Sequence, residues 1–155
     1  MIIARTFSKI AALAGMRLGY AVSTPEIIQK MRPYSMGSIN ALVKWGGAAS
    51  IKDAEGQARM KKTILDTRKR TTADLQAFGY DVLPSEANFF MVHIGRPVQP
   101  VIEEFKKRRI MVGRPFPPMT EHLRVSVGTP DDMDAFLKAF KEIFPSKAKS
   151  TAAGA

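Results

Sequence analysis

Apolar positions along the 155-residue chain fall alternately into strand-sized runs and helical repeats. Ile2-Ile3 reads as the start of one buried strand and Leu18 to Val22 as a second. Between them lie a polar tip, Thr6-Phe7-Ser8-Lys9, and a small-residue segment with Ala11, Ala12, Ala14 and Gly15. Ser23-Thr24-Pro25-Glu26 predicts a helix start, with Thr24 as N-cap, Pro25 in the first turn and Glu26 favoured by the dipole. This helix carries Ile27, Ile28 and Met31 and stops before Pro33, leaving residues 33–38 as a loop. From Ile39 a helical pattern resumes through Leu42, Val43, Trp45, Ala48, Ala49 and Ile51. Gly46-Gly47 interrupts it at about 1 kcal/mol per glycine relative to alanine, which points to close packing or a bend.

A long charged helix follows, about Glu55 to Phe78. Its inward stripe is Met60, Ile64, Leu65, Thr71, Leu75 and Phe78, its lysines and arginines face outward, and Gly79 closes it. Beyond it strands and helices alternate. Tyr80 to Leu83 reads as a short strand, and Asn88 to Ile94, apolar at nearly every position, as a central one. Pro97 and Pro100 mark the entry to a helix over Val101 to Arg108, and Ile110 to Val112 reads as a further strand. Residues 113–118 form an ordered loop. His122 to Val127 alternates polar and apolar, as suits a sheet with one covered face. Thr129-Pro130-Asp131-Asp132 caps a last helix that turns Met133, Phe136, Leu137, Phe140 and Phe144 inward and ends at Pro145. Residues 146–155 are small and polar, the composition of a disordered tail.

An apolar fraction of 45% with 25% charged residues is a globular balance that allows a core. No run reaches the length of a membrane span, so no membrane partner is expected. The chain has no cysteine, which excludes a disulfide framework and thiolate ligands, and its two histidines suggest no metal centre. The formal charge of +10 is read as a solvated basic surface. Lys61, Lys62, Arg68, Lys69 and Arg70 lie along one helix without interleaved aromatics, so nucleic acid is not expected as a partner. A missing acidic counterpart is another source of the imbalance.

The chemistry concentrates in the first twenty residues. A serine, a lysine and an arginine presented at neighbouring strand ends suit a phosphorylated, carbonyl-bearing ligand. Hydroxyl and guanidinium hold phosphate oxygens, and a lysine amine condenses with an aldehyde. Alone, a Ser-Lys dipeptide describes any surface lysine. The whole stretch, Arg5-Thr6-Phe7-Ser8-Lys9 followed by Leu13-Ala14-Gly15-Met16-Arg17-Leu18-Gly19-Tyr20, resembles the active-site lysine segment of the class I/II aminotransferases. Within them it is most similar to the histidinol-phosphate type. The resemblance implies that Lys9 is the catalytic residue and carries pyridoxal 5'-phosphate. It implies that Ser8 and Arg17, the latter eight positions beyond Lys9, hold the cofactor phosphate.

A second motif lies in His122-Leu123-Arg124-Val125-Ser126-Val127-Gly128-Thr129, which resembles the family's Leu-Arg-x-[Ser/Thr]-x-Gly strand. There the arginine grips the substrate α-carboxylate, a role implied for Arg124; by itself Arg124 is an exposed strand arginine. Histidinol-phosphate enzymes carry a phosphate-binding arginine directly after the strand that Ile110-Met111-Val112 resembles. Gly113 stands in that place here, and the candidate is Arg114, one residue later. Aromatic amino acids therefore compete with histidinol phosphate as substrates. Asn88, in Ser85-Glu86-Ala87-Asn88-Phe89-Phe90, reads first as a strand-entry residue that satisfies loop backbone groups. His93 reads as a hydrogen-bonded core histidine, and Tyr34 as either a surface aromatic or a ligand neighbour.

The resemblance implies an α/β architecture, the C-terminal part of a fold type I pyridoxal-phosphate transferase. Residues 1–52 would close the large-domain sheet and residues 53–145 would form a small α+β domain. The implied activity is transfer of an amino group between an amino acid and a 2-oxo acid, in the cytoplasm, with a homodimer as the full-length form. In the family, the aspartate that pairs with the pyridinium nitrogen, a stacked aromatic ring and a further phosphate loop precede the lysine segment. The chain by itself is therefore expected to bind cofactor weakly and turn over little. The alternatives are a non-catalytic remnant or partner subunit that needs a complementary chain, a basic binding module, or another pyridoxal-phosphate reaction such as decarboxylation or elimination.

Overall fold

The computed structural model describes residues 1–35 and 37–147. The chain divides into two compact units, Met1–Lys61 and Lys62–Ala155. In the first, β1 (Ile3–Thr6) pairs antiparallel with β2 (Gly19–Val22) in a register running from Ile3–Val22 to Thr6–Gly19. The expectation of two buried strands is not met. Every residue of β1 is exposed, and in β2 only Ala21 is half-buried. Ile3, Tyr20 and Val22 stand 43%, 51% and 53% exposed, because no described residue covers the faces of this two-stranded ribbon.

α1 (Pro25–Met31) begins where the Pro25 signal places it, but Thr24 makes no side-chain cap bond to the helix backbone. Its hydroxyl bonds to the Glu26 carboxyl instead and holds that group below the usual carboxylate range. A single 3-10 turn, Arg32–Tyr34, leads into the loop. α2 (Ala41–Lys52) starts two residues later than its apolar pattern suggests, because Asn40 Oδ1 accepts the Leu42 N–H at 2.8 Å and caps the helix there. α3 (Ala54–Ala77) follows after one residue. It ends in a Schellman arrangement: Gly79, at φ +93°, donates to Gln76 O at 2.9 Å and Tyr80 donates to Leu75 O at 3.0 Å.

The second unit is built on β3 (Phe89–His93) and β4 (His122–Ser126), paired antiparallel from Phe89–Ser126 to His93–His122. α4 (Val98–Lys107) and α5 (Pro130–Ile143) complete it. Strand alternation divides the side chains into two sets. Phe90, Val92, Leu123 and Val125 point into the core, where they meet Leu75 of α3, Val101 and Phe105 of α4, and Met133, Phe136 and Phe140 of α5. Phe89, Met91, His93, His122, Arg124 and Ser126 occupy the opposite face. β3 is central in this small sheet, since Val82 bridges to Val92 along its other edge.

Several expectations shift in this unit. Tyr80 to Leu83 contributes that one bridge rather than a strand. Ile110 to Val112 forms no strand; Ile110 and Val112 pack against the core, and the next residue, Gly113, donates its N–H to Arg124 O at 2.8 Å. α4 starts at Val98, with Pro100 inside its first turn, where a missing N–H costs no helical bond. On α3, Met60 is exposed and Thr67 is buried with Thr71 and Leu75. Arg68 does not face outward. Its side chain is only 12% exposed, and it donates to Ala87 O at 2.6 Å and to Glu86 at 3.2 Å, which pins the loop before β3. His93 sits at the rim of the sheet rather than in the core, its Nε2 3.4 Å from Glu121 Oε2. Of the tail read as disordered, residues 148–155 lie outside the described residues, and Lys147 N–H donates to Phe78 O at 3.0 Å.

The expected core of α5 is fully present: Met133, Phe136, Leu137, Phe140 and Phe144 are all buried. Its capping box is complete, with Asp132 N–H donating to Thr129 Oγ1 at 3.2 Å and Thr129 N–H to Asp132 Oδ2 at 2.9 Å. The Thr129 hydroxyl also donates to Asp132 Oδ2 at 2.7 Å and is the main reason that carboxyl lies below its usual range. A carboxyl lowered in the folded state adds stability above its unfolded pKa and loses it as pH falls through the folded one. Thr129→Ala should therefore cost about 1 kcal/mol at neutral pH. It should also reduce the fall in urea midpoint between neutral pH and pH below the carboxylate range; an unchanged acid slope would contradict the cap's role.

Candidate active site

Ser8, Lys9 and Arg17 lie in the loop at one end of the β1–β2 ribbon. Beyond the last strand pair, Thr6–Gly19, the ladder continues with Phe7 N–H donating to Leu18 O at 3.1 Å. One step further along this register stand Ser8 and Arg17, with Lys9 beside them. The loop that closes the ribbon is ordered by its own backbone. Ala12 N–H donates to Lys9 O at 2.9 Å, Leu13 N–H to Phe7 O at 3.0 Å and Met16 N–H to Leu13 O at 3.1 Å. Ala12 and Arg17 both take φ near +54°, a conformation that costs a non-glycine residue energy and so marks a loop held by its contacts.

Each group has a defined anchor. Ser8 N–H donates to Thr6 Oγ1 at 3.1 Å, so the chain turns sharply at the ribbon end and leaves Ser8 half-buried. Arg17 Nη1 donates to Ala14 O at 2.8 Å, which ties the guanidinium to its own loop and leaves most of its N–H groups for a ligand. Lys9 is exposed, and its amine has no partner among the described residues. The first 25 residues contain Arg5, Lys9 and Arg17 and no acidic residue, so the stretch that forms the ribbon is positively charged. Guanidinium, hydroxyl and a free amine together fit a phosphate monoester that also bears an aldehyde.

Beneath this end the packing is tight. Phe7, the one buried hydrophobic side chain among the described residues of the first unit, and Leu18 face buried Gly47 of α2. A Cβ at Gly47 would collide with Leu18 Cδ2 and touch Phe7 Cε1 at 3.7 Å, whereas one at Gly46 would meet nothing within 4 Å. Close packing is thus the reason for the second glycine only.

Arg124 lies in the second unit, on the face of β4 turned away from the core, opposite Met91 and diagonal to Phe89. It has no acidic partner among the described residues. Its Cζ stands 4.2 Å from the centroid of the Phe89 ring, and its Nε is buried without a hydrogen-bond partner. Such an orphan costs about 1–3 kcal/mol unless an acceptor arrives. A guanidinium seated on a ring with an unmet N–H suits a carboxylate. Arg114 is exposed and unpaired among the described residues, one position after Gly113, whose N–H bonds to the Arg124 carbonyl. Asn88 is exposed; its backbone carbonyl, rather than its side chain, accepts the Val127 N–H at 2.9 Å. Tyr34 is 88% exposed. Phe89 escaped the reading of the sequence, although strand alternation places it on the face of Arg124.

Among the described residues no group of three or more His, Asp or Glu side chains is arranged to hold a metal ion, and no helix is long and apolar enough to cross a membrane.

The sequence model of the family described as aminotransferase class I and II matches residues 1–140. A histidinol-phosphate aminotransferase of Aromatoleum aromaticum is 35% identical over 150 residues, covering 92% of this chain and 42% of that protein. An aromatic amino acid aminotransferase of Mycobacterium tuberculosis is 34% identical over 139 residues, covering 89% of this chain and 38% of its own length. The crystal structure of histidinol-phosphate aminotransferase from Sinorhizobium meliloti in complex with pyridoxal-5'-phosphate superposes with a TM-score of 0.81 at 27% identity, covering 92% of this chain and 40% of that one. The chain thus spans about two fifths of the length of the relatives it matches.

The two glycines of α2 separate packing from helix propensity. Gly46→Ala should stabilise the first unit by up to about 1 kcal/mol. Gly47→Ala should destabilise it by about 1–2 kcal/mol, because overpacking against Leu18 outweighs that gain. Unfolding midpoints of the two variants moving in the same direction would contradict the packing assigned to Gly47.

Proposed function

Since the chain belongs to the class I and II aminotransferases, we propose that it carries the lysine-bearing and carboxylate-binding parts of a pyridoxal-phosphate-dependent transaminase. The observation that supports this reading is the β1–β2 register, which carries Ser8, Lys9 and Arg17 on the loop at one ribbon end, in a stretch without acidic residues. Pyridoxal 5'-phosphate, on which this family depends, supplies the electron sink when bound. Ser8 and the free N–H groups of Arg17 hold its phosphate oxygens. Lys9 Nζ anchors it and, once released by an incoming amine, takes up and returns the proton at the substrate α-carbon. Arg124 orients the substrate through two parallel hydrogen bonds to the α-carboxylate.

The amino donor in this proposal is histidinol-phosphate-like or aromatic. Arg114, exposed and unpaired, supports the phosphorylated donor. Gly113 supports the aromatic one, since a Cβ there would lie 2.8 Å from Arg124 O and 3.0 Å from its Cβ and Cγ, so no side chain fits at that position. A 2-oxo acid is the acceptor.

A second reading rests on a separate observation. The apolar side chains left open on β1 and β2 favour a chain that works only with a complementary polypeptide, which would also supply the partner for the cofactor's pyridinium nitrogen. Both readings predict one result for the purified 155-residue chain. Incubation with pyridoxal 5'-phosphate, borohydride reduction and peptide mapping should place the label preferentially on Lys9, while amino transfer by the chain alone stays at background. Label spread evenly over other lysines would overturn the assignment of Lys9. Robust turnover by the isolated chain would overturn the need for a complement.

A further inference from the structure

The face of the second sheet that carries Arg124 shows how that arginine is aimed, and this inference rests on reading Arg124 as the carboxylate-binding group. The stem and the head of the side chain meet different neighbours. The stem runs against Gly113, where a Cβ would stand 3.0 Å from both Arg124 Cβ and Cγ and 2.8 Å from Arg124 O. The backbone at Gly113 is itself fixed by its N–H bond to Arg124 O at 2.8 Å. The head lies over the Phe89 ring, with Cζ 4.2 Å from the centroid. β3 and β4 enforce this meeting, since Phe89 pairs with Ser126 and Met91 with Arg124, making Phe89 the diagonal neighbour on the same face.

A guanidinium over an aromatic face gains cation–π attraction without using its N–H groups. The head is thereby held in place while the donors remain free, and the buried Nε stays unpartnered. An acidic partner would also hold it, but it would occupy the fork that a ligand needs.

We propose that Phe89 is a positioning residue, which with the side-chain-free Gly113 forms a slot holding the Arg124 guanidinium in place and unpaired for a carboxylate. Phe89 touches no reacting atom in this account. It spares Arg124 the ordering that a loose side chain undergoes on binding, so it acts on affinity for the carboxylate.

The test uses the 155-residue chain with pyruvate as the probe, read from the Arg124 Nε–Hε resonance by nitrogen-15 NMR. In the unsubstituted chain, Hε should be displaced upfield by the Phe89 ring and should move saturably with pyruvate. Phe89→Leu should abolish the upfield displacement and weaken pyruvate binding about three- to tenfold, the range expected for a partly desolvated cation–π contact. Phe89→Tyr should restore both. Gly113→Ala should shift the resonance and weaken binding in the same way without removing the ring. Retained pyruvate affinity in Phe89→Leu, or failure of Phe89→Tyr to restore it at an unchanged unfolding midpoint, would overturn the slot. Arg124→Lys tests the underlying reading separately, with pyruvate binding followed by titration calorimetry because the variant lacks the Nε–Hε group: weakened pyruvate binding supports Arg124 as the carboxylate group, and unchanged binding would show that the carboxylate binds elsewhere.

Discussion

The antiparallel pairing of residues 3–6 with residues 19–22 is the constraint on which the chemistry of this chain depends. Register in a two-stranded ribbon is discrete. A slip of one residue would exchange the faces of every side chain and separate Ser8 from Arg17. Three features hold it: the Phe7–Leu18 hydrogen bond, the buried Phe7 side chain, and a glycine on α2 that lets Leu18 approach. The turns of the loop from Lys9 to Met16 then close through backbone bonds, with one further bond from the Arg17 guanidinium to Ala14 O. Lys9 is left free at the tip.

The two units differ in how they are held together. Around β3 and β4 an aromatic and aliphatic core closes on itself, with Phe90, Phe105 and Phe140 wholly inside and α5 capped at its start. In the first unit Phe7 is the lone buried hydrophobic side chain among the described residues, while Ile3, Tyr20, Val22, Leu42 and Trp45 face outward. Hydrophobic burial is the main favourable term in folding. The first unit therefore draws less of its stability from burial than the second.

Most of the element order was legible because the strongest signals are local. Thr129-Pro130-Asp131-Asp132 ahead of a spaced set of Met and Phe residues specifies a capped helix wherever it occurs, and α5 follows it. Gly79 likewise ends α3 because its backbone must take a positive φ. Signals that depend on neighbours were less informative. Ile2, Ile3 and Leu18 to Val22 are apolar enough for buried strands, yet burial requires covering elements that the described residues do not supply. Ile110 to Val112 has the composition of a strand, but it packs on the core as irregular chain, and the hydrogen bond to β4 comes from the next residue, Gly113. Arg68 looked like one more surface charge until the loop at Glu86 and Ala87 supplied acceptors for it. The Lys9 and Arg124 motifs were visible as residue strings; the unmet Nε of Arg124 and the ring beneath it were not, since both come from strand register.

The central claim is that the ribbon end recognises a phosphate and thereby directs an aldehyde to Lys9. It is tested most directly by comparing reductive trapping at Lys9 by pyridoxal 5'-phosphate with trapping by pyridoxal, which has the aldehyde but no phosphate, in the unsubstituted chain and in Arg17→Ala. The account predicts a clear preference for the phosphorylated aldehyde at Lys9, absent at other lysines and lost in Arg17→Ala. Equal trapping by the two aldehydes, or a preference that survives without Arg17, would contradict it.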